Sequence, residues 1–109
     1  FIGAPGMNIL HRSDLAGEAT DVLARLPQGR DFVGFRPEAV TLERTGGDGL
    51  RLRGEVAGIE VLGPESLVHI RVPGVRDAVV ARLATDAASR ASGPVAVEVA
   101  RHGLQFFER

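Results

Sequence analysis

The segment L-R-L-R-G-E-V-A-G-I-E-V-L-G, residues 50–63, constrains the fold most, because its apolar and polar residues alternate. Alternation with a period of two is typical of a β-strand with one buried face. The apolar residues form two sets of opposite parity: Leu50, Leu52 and Val56, then Ile59 and Val61. One extra residue near Gly58, a β-bulge, would bring both sets onto one face and bend the strand. Small barrels need long strands that bend at glycine to turn their corners.

Shorter segments of the same kind surround this strand. We expect them at residues 31–35, 39–43, 68–72, 79–83, 95–99 and 104–108, with Glu98 facing out of its strand. Glycine and proline separate them, at Pro37, in T-G-G-D-G (45–49), and at 63–64, 73–74 and 102–103. Residues 85–94 form a longer connection that has room for one helical turn. Short strands joined by such turns predict a mainly β protein with an antiparallel barrel or sandwich.

One stretch near the N-terminus has the period of a helix instead. Its apolar residues recur at spacings of three and four: Leu15, Ala19, Val22, Leu23 and Leu26. Ser13 or Asp14 can cap the first turn, and Pro27 and Gly29 would end the helix. The sequence therefore predicts one short amphipathic helix over residues 14–26.

Composition argues against nucleic acid binding and against catalysis. The net charge is −1, all 13 basic residues are arginine, and the five aromatic residues are all phenylalanine, so basic runs and stacking platforms are missing. The chain has no cysteine, and His11, His69 and His102 lack the local spacing of zinc ligands. Neither a nucleophile elbow nor a phosphate-binding loop is present, so we predict no catalytic residue, no cofactor site and no metal site.

Binding of a small ligand is the remaining chemical option. Small barrels bind oligonucleotides, oligosaccharides or anions at their rims. The outward-facing arginines Arg51, Arg53 and Arg71, with Arg82, could hold an anion if their side chains converged. A solvated face in which glutamates alternate with the arginines is the other interpretation of the same pattern.

Four ordered segments resemble the C-terminal regulatory region of ATP-binding subunits of bacterial ABC importers, in the branch for maltose, other oligosaccharides and sn-glycerol-3-phosphate. They are F-I-G-A-P-G-M-N-I-L (1–10), V-G-F-R-P-E-A-V (33–40), G-E-V-A-G-I-E-V-L-G-P-E-S-L-V-H-I-R-V-P-G (54–74) and S-G-P-V-A-V-E-V-A-R-H-G-L-Q-F-F-E (92–108). Each motif alone is moderately specific, but their order along nearly the whole chain is a strong signal. The positions that match the family motifs are Phe1, Ile2, Gly3, Pro5, Met7 and Asn8, then Arg36, Pro37 and Glu38, then Glu60, Leu62, Gly63, Glu65, Leu67 and Val68.

The resemblance implies an OB-type barrel of the transport-associated kind. Residues 1–10 would be the junction from a missing ATPase domain, and residues 11–109 would form a single OB-type regulatory domain. This chain has no Walker A pattern, so ATP and Mg would bind in the missing domain. In the R-P-E segment, Pro37 would set a turn that Arg36 and Glu38 could tie by a salt bridge.

The implied role is a non-catalytic regulatory and dimerisation domain. Its partners would be its own ATPase domain, a second copy of the ATP-binding subunit and, through the ATPase domain, the membrane permease, at the cytoplasmic face of the cell membrane. This hypothesis predicts an exposed apolar patch near Phe1, Ile2 and either Phe106 or Phe107. The alternative is an OB-type barrel that senses an oxyanion or a sugar, although the S-A-R-N-type motif of molybdate-binding barrels is missing. The transported substrate is not encoded in this segment.

Overall fold

The structure is a computed structural model, and it describes residues 6–15, 29–42 and 49–108. Strands dominate the described part of the chain, which confirms the mainly β prediction. The strands are β1 (Asn8–His11), β2 (Phe32–Phe35), β3 (Val40–Thr41), β4 (Leu50–Val61), β5 (Glu65–Arg71), β6 (Val79–Ala84), β7 (Pro94–Val99) and β8 (Gln105–Phe107). The helical elements are short: a four-residue helix α1 (Thr85–Ala88) and 3-10 turns at Arg12–Leu15, Pro37–Ala39 and Arg101–Gly103.

A five-stranded antiparallel sheet, in the order β3-β7-β4-β5-β6, forms most of the molecule. Its longest strand is β4, which pairs with β7 along its first half and with β5 along its second half. The register against β5 shifts between Val56 and Gly58, so Ala57 is an extra residue. The β-bulge predicted near Gly58 is therefore confirmed, and Ile59 and Val61 share a face with the buried Val68 and Ser66 opposite them.

The alternating residues of β4, β5, β6 and β7 build one core. Its members are at most 4% exposed: Leu10, Val33, Phe35, Val40, Leu50, Leu52, Val68, Ile70, Val72, Val79, Ala81, Ala88, Val97 and Val99. The predicted inward faces of these strands are thus confirmed.

Glu98 is the exception to the expected pattern. It has the outer parity of β7, as predicted, yet it is only 5% exposed. β7 lies between β3 and β4, which places Thr41 and Arg51 directly opposite Glu98 on its two sides. A residue that faces outward can thus still be buried.

The two edges of this sheet approach each other. The Pro37–Ala39 turn and β3, at one edge, both contact β6 at the other edge. The sheet therefore curls toward a barrel, which buries its inner face without a second large layer.

A three-stranded antiparallel sheet, in the order β1-β2-β8, packs beside this barrel. It contributes Leu10, Val33 and Phe35 to the core. Asn8 joins the two sheets: its Nδ2 donates to the Val80 carbonyl at 2.9 Å, and its Oδ1 accepts from the Val80 N–H at 2.8 Å. The side-chain amide thus takes the place of a neighbouring strand along this part of β6. Sequence reasoning placed Asn8 in a junction and did not anticipate β1.

Several predictions concern the connections between strands. The helical turn allowed for residues 85–94 is present as α1, and the turns at Gly63 and Gly74 have the positive φ angles that favour glycine. The helix predicted over residues 14–26 lies outside the described residues, except for Asp14 and Leu15 in the first 3-10 turn. Most of the predicted 45–49 loop also lies outside them. Within the described ranges, no helix is long and apolar enough to cross a membrane.

Candidate docking surfaces

The second half of β4 extends past the end of its pairing with β7. Pairing between β4 and β7 ends at Glu55 opposite Pro94, and the last backbone bond there runs from Val56 N–H to the Gly93 carbonyl at 2.9 Å. Beyond this point β5 is the only neighbour of β4 among the described strands. We call residues 57–69 the hairpin arm. One edge of the arm is thus open.

The arm exposes apolar side chains on the face that is buried elsewhere in the sheet. Ile59 is 40% exposed and Val61 is 65% exposed, and Leu62 at the turn is 48% exposed. The strand pattern predicted which way Ile59 and Val61 face, but no other part of the described chain covers them. Exposed apolar residues that cluster in this way are characteristic of interaction sites.

The tip of the arm is held firmly by α1. The Leu62 N–H donates to the Glu65 carbonyl at 3.0 Å and closes the turn, in which Gly63 has a φ of +115°. Thr85 holds this turn in place: its Oγ1 donates to the Gly63 carbonyl at 2.6 Å, and its N–H donates to the Pro64 carbonyl at 2.9 Å. The Thr85 hydroxyl also lies 2.8 Å from the buried Ser66 hydroxyl. The exposed apolar residues therefore sit on an ordered support.

The motif carboxylates of the arm lie beside basic side chains on its outer face. Glu65 Oε1 lies 3.0 Å from Arg82 Nε, and Glu60 Oε1 lies 3.7 Å from His69 Nε2. Each of these side chains is 38–59% exposed, so solvent screens both pairs and each contributes little to stability. Of the other motif residues here, Val68 is in the core and Leu67 is half-buried on the outer face.

A second apolar surface lies on the outer face of the three-stranded sheet. We call Met7, Ile9, Phe32 and Phe107 the sheet patch. The rings of Phe32 and Phe107 stack with their centroids 6.0 Å apart, and the His11 ring meets Phe32 edge-on at 4.9 Å. Gly34 lies beneath, and a Cβ there would meet Met7 Sδ at 2.8 Å and Phe107 Cε1 at 3.0 Å. Glycine at this position lets both side chains lie flat on the sheet.

This patch agrees in part with the predicted one. Phe107 belongs to it, whereas Phe106 packs against the core on the opposite face. Phe1, Ile2, Gly3 and Pro5 lie outside the described residues, so their assignment to a junction stays a prediction. Sequence reasoning missed Ile9 and Phe32, although the alternation of N-I-L-H and F-V-G-F could have placed both on one face.

The arginines considered for anion binding do not form a convergent basic cluster. Register places Arg51 opposite the buried Glu98, Arg71 opposite Glu55 and Arg53 opposite Ala96. Positive and negative side chains thus alternate across the outer face, which is the arrangement expected of a solvated face. Within the described ranges, no group of histidine and acidic residues could hold a metal ion.

The R-P-E segment forms a turn, as predicted. Pro37 begins a 3-10 turn closed by a 2.9 Å bond from the Ala39 N–H to the Arg36 carbonyl. The salt bridge considered between Arg36 and Glu38 is not among the ion pairs of the described residues, and both side chains are exposed. The fixed φ of Pro37 and the backbone bond are what hold this turn.

Comparison with known proteins gives a consistent result. The profile of a family described as the TOBE domain matches residues 33–107. An sn-glycerol-3-phosphate import ATP-binding protein of Rhizobium johnstonii is 32% identical over all 109 residues, and a protein of the same name from Rhizobium meliloti is 40% identical over 73 residues. The chain spans 30% and 21% of the lengths of these two relatives.

Among solved structures, the chain is similar to the cytoplasmic molybdate-binding protein ModG with molybdate bound. The TM-score is 0.59 at 16% sequence identity, over 72% of this chain and 61% of that one. Similarity at this level of identity concerns the fold alone.

Proposed function

Because the chain belongs to the TOBE domain family, we propose that it is a non-catalytic regulatory and dimerisation domain of the ATP-binding subunit of a bacterial ABC importer. TOBE domains have an OB-type fold, so the OB-type, mainly β fold class predicted from the sequence is confirmed. The relatives described above are named sn-glycerol-3-phosphate import ATP-binding proteins, and we propose a polar small molecule of that kind as cargo for the parent transporter.

One observation carries this proposal. The alignment with the Rhizobium johnstonii ATP-binding protein includes every residue of the chain, from the F-I-G-A-P-G-M-N segment to the end. That relative is more than three times as long, which leaves room for an ATPase domain outside the aligned region. ATP and Mg would bind in that domain, and the present chain would act on it by contact.

The sheet patch is the surface best suited to contact an adjoining ATPase domain. Met7 and Ile9 belong to β1 or its immediate approach, so a domain attached through residues 1–5 would lie close to this face. The patch is apolar and half-buried, and Phe32 and Phe107 offer stacked rings as anchors. Through the ATPase domain the subunit would reach the membrane permease, at the cytoplasmic face of the cell membrane.

The gene itself provides the first test. The DNA that precedes the Phe1 codon should encode a Walker A segment of the form G-x-x-x-x-G-K-S/T, within one reading frame. The ATPase activity of that longer polypeptide should persist when the present domain is removed, whereas its dimerisation should weaken. A reading frame without ATPase motifs would overturn the proposal.

The alternative, an oxyanion or sugar sensor, remains a prediction. The alternation of Arg51 and Arg71 with glutamates does not favour it. Calorimetry of the chain with sulfate, molybdate and maltose tests this alternative directly. A binding heat for one of the three ligands would support a sensor function.

A further inference from the structure

We propose that the open edge of the hairpin arm binds the same edge of a second copy of this chain. In this arrangement β4 pairs antiparallel with β4 of the other copy, so that one sheet runs through both molecules. The inference rests on the proposed dimerisation function and adds the location and geometry of the contact.

The open edge has few of the features that protect strands from pairing. Natural sheets guard their exposed edges with Pro, Lys, inward-pointing charges, β-bulges, short strands or a covering element. Residues 57–61 read A-G-I-E-V, and their one charged side chain, Glu60, lies on the outer face beside His69. The β-bulge is at the base of the arm, and from Gly58 to Val61 the ladder to β5 is regular. An unguarded regular edge of this kind is suited to accept another strand.

The other edge of the sheet shows the contrast. On β6 the side chain of Asn8 occupies both the N–H and the carbonyl of Val80. Among the described residues, one edge is thus covered by a specific side chain, whereas the arm edge has no covering strand. A functional partner for the arm explains this difference.

Self-pairing fits the side chains of the arm. A two-fold axis perpendicular to the sheet keeps inner faces on one side, so Ile59 and Val61 of both copies would form one apolar surface. An axis at Ile59 places Glu60 opposite Gly58 of the other copy, and an axis at Val61 places it opposite Leu62. In neither register does Glu60 lie opposite another carboxylate. An axis at Glu60 itself would place it opposite Glu60 of the other copy, and this repulsion disfavours that register.

The contact buries little surface, so we expect a weak dimer. Three exposed apolar residues and one short strand edge per copy provide less than the roughly 800 Å² per partner of a standard stable interface. We therefore expect reversible association of the separate chain, with a stronger contact in the parent subunit, where a second interface raises the effective concentration.

Cysteine cross-linking tests the geometry, because the chain contains no cysteine of its own. Residues opposite each other in an antiparallel ladder have Cα atoms about 4.5–5.5 Å apart, within the roughly 4.4–6.8 Å that a disulfide spans. Ile59→Cys and Val61→Cys are compared with Gln105→Cys, at an exposed strand residue outside both the arm and the sheet patch. We expect Ile59→Cys or Val61→Cys to form disulfide dimers at least ~10-fold faster than Gln105→Cys, because a bound dimer holds the thiols at high effective concentration.

Sedimentation of the wild-type chain, Ile59→Glu and Gln105→Glu provides the second measurement. Ile59→Glu should raise the dimer dissociation constant at least ~10-fold, because in either register it places a carboxylate in the shared apolar surface. Gln105→Glu adds a carboxylate outside that contact and should leave the dissociation constant unchanged. A chain that is monomeric up to about 1 mM, where a contact would contribute only about 4 kcal/mol, overturns the inference.

Two other outcomes also overturn it: cross-linking of Gln105→Cys as fast as the arm variants, and a dimer that Ile59→Glu leaves intact. The last outcome would place the dimer contact elsewhere and leave the proposed function standing. The absence of ATPase motifs upstream would instead remove the proposed function while a cross-linked arm dimer remained.

Discussion

The two halves of β4 have the same alternation of apolar and polar residues but opposite surroundings. Leu50 and Leu52 in the first half are at most 2% exposed, whereas Ile59 and Val61 in the second half are 40% and 65% exposed. All four face the same side of the sheet, because the bulge restores their common direction. The first half pairs with β7, and the second half pairs with β5. Facing inward is thus a property of the strand, whereas being buried depends on what lies across from it.

Truncation of one side chain in each half of β4 should give the largest difference in the free energy of unfolding. Leu52→Ala removes a fully packed side chain and should lower the free energy of unfolding by about 2–5 kcal/mol. Val61→Ala removes a mostly exposed one and should change it by less than ~0.5 kcal/mol. Urea denaturation of both variants, at concentrations where the chain is monomeric, measures the two changes. Equal losses of unfolding free energy would mean that Val61 is as well packed in solution as Leu52, and the two halves of β4 would then not differ in burial.

The two glycines of β4 offer a matched pair for the next largest effect. A Cβ at Gly54 would lie 2.5 Å from Ile70 Cγ2 and 2.9 Å from the Arg71 carbonyl, whereas a Cβ at Gly58 would meet nothing within 4 Å. Gly54→Ala should therefore destabilise by about 1–3 kcal/mol, since backbone must move to make room. Gly58→Ala should be neutral or stabilise by up to ~1 kcal/mol, because alanine restricts the unfolded chain. In thermal unfolding, the melting temperature of Gly54→Ala should fall, and that of Gly58→Ala should stay the same or rise.

The covered edge of the sheet can be opened by one substitution. Asn8→Ala removes both hydrogen bonds to Val80 and should lower the free energy of unfolding by about 1–3 kcal/mol. Ile9→Ala, at the next residue, is the control and should have a smaller effect because Ile9 is partly exposed. Hydrogen exchange should also show faster exchange at the Val80 amide in Asn8→Ala. Unchanged protection of that amide would indicate that the two sheets are joined by packing alone.

The smallest effect is expected on the outer face of the arm. Arg82→Ala breaks the 3.0 Å pair with Glu65, but both side chains are about half exposed. The free energy of unfolding should fall by less than ~0.5 kcal/mol, and the loss should shrink further at high salt. Denaturation at two ionic strengths measures it. A loss above ~1 kcal/mol would show that the arm depends on its ion pairs rather than on the bonds from Thr85.

Much of this fold could be predicted from local patterns. The alternation of β5, β6 and β7, the turns at Pro37, Gly63 and Gly74, and the bulge in β4 all follow from the period of the apolar residues and the chemistry of glycine and proline. Each depends on neighbours within a few residues, so the sequence expresses it directly.

The candidate surfaces could be predicted less well. The motif residues of the arm were recognised, but their pattern did not distinguish a buried hairpin from an exposed one. Asn8 was assigned to a junction because no local rule links an asparagine to Val80, which is 72 residues away in the chain. Glu98 was placed on the outer face without regard to the strands on either side of it. Each of these features depends on a contact between distant parts of the chain.

The sequence by itself determined the strands, the direction in which their side chains face and the place where β4 must bend. Only the tertiary structure decided that β3 and β4 flank Glu98 on the two sides of β7, that Asn8 caps the edge of β6 and that the second half of β4 extends beyond its pairing with β7. The physical reason is that the direction of each side chain follows from the two-residue period of a strand. Whether that side chain is buried depends on which other segments of the chain pack against it, and the free energy of burial is gained only there.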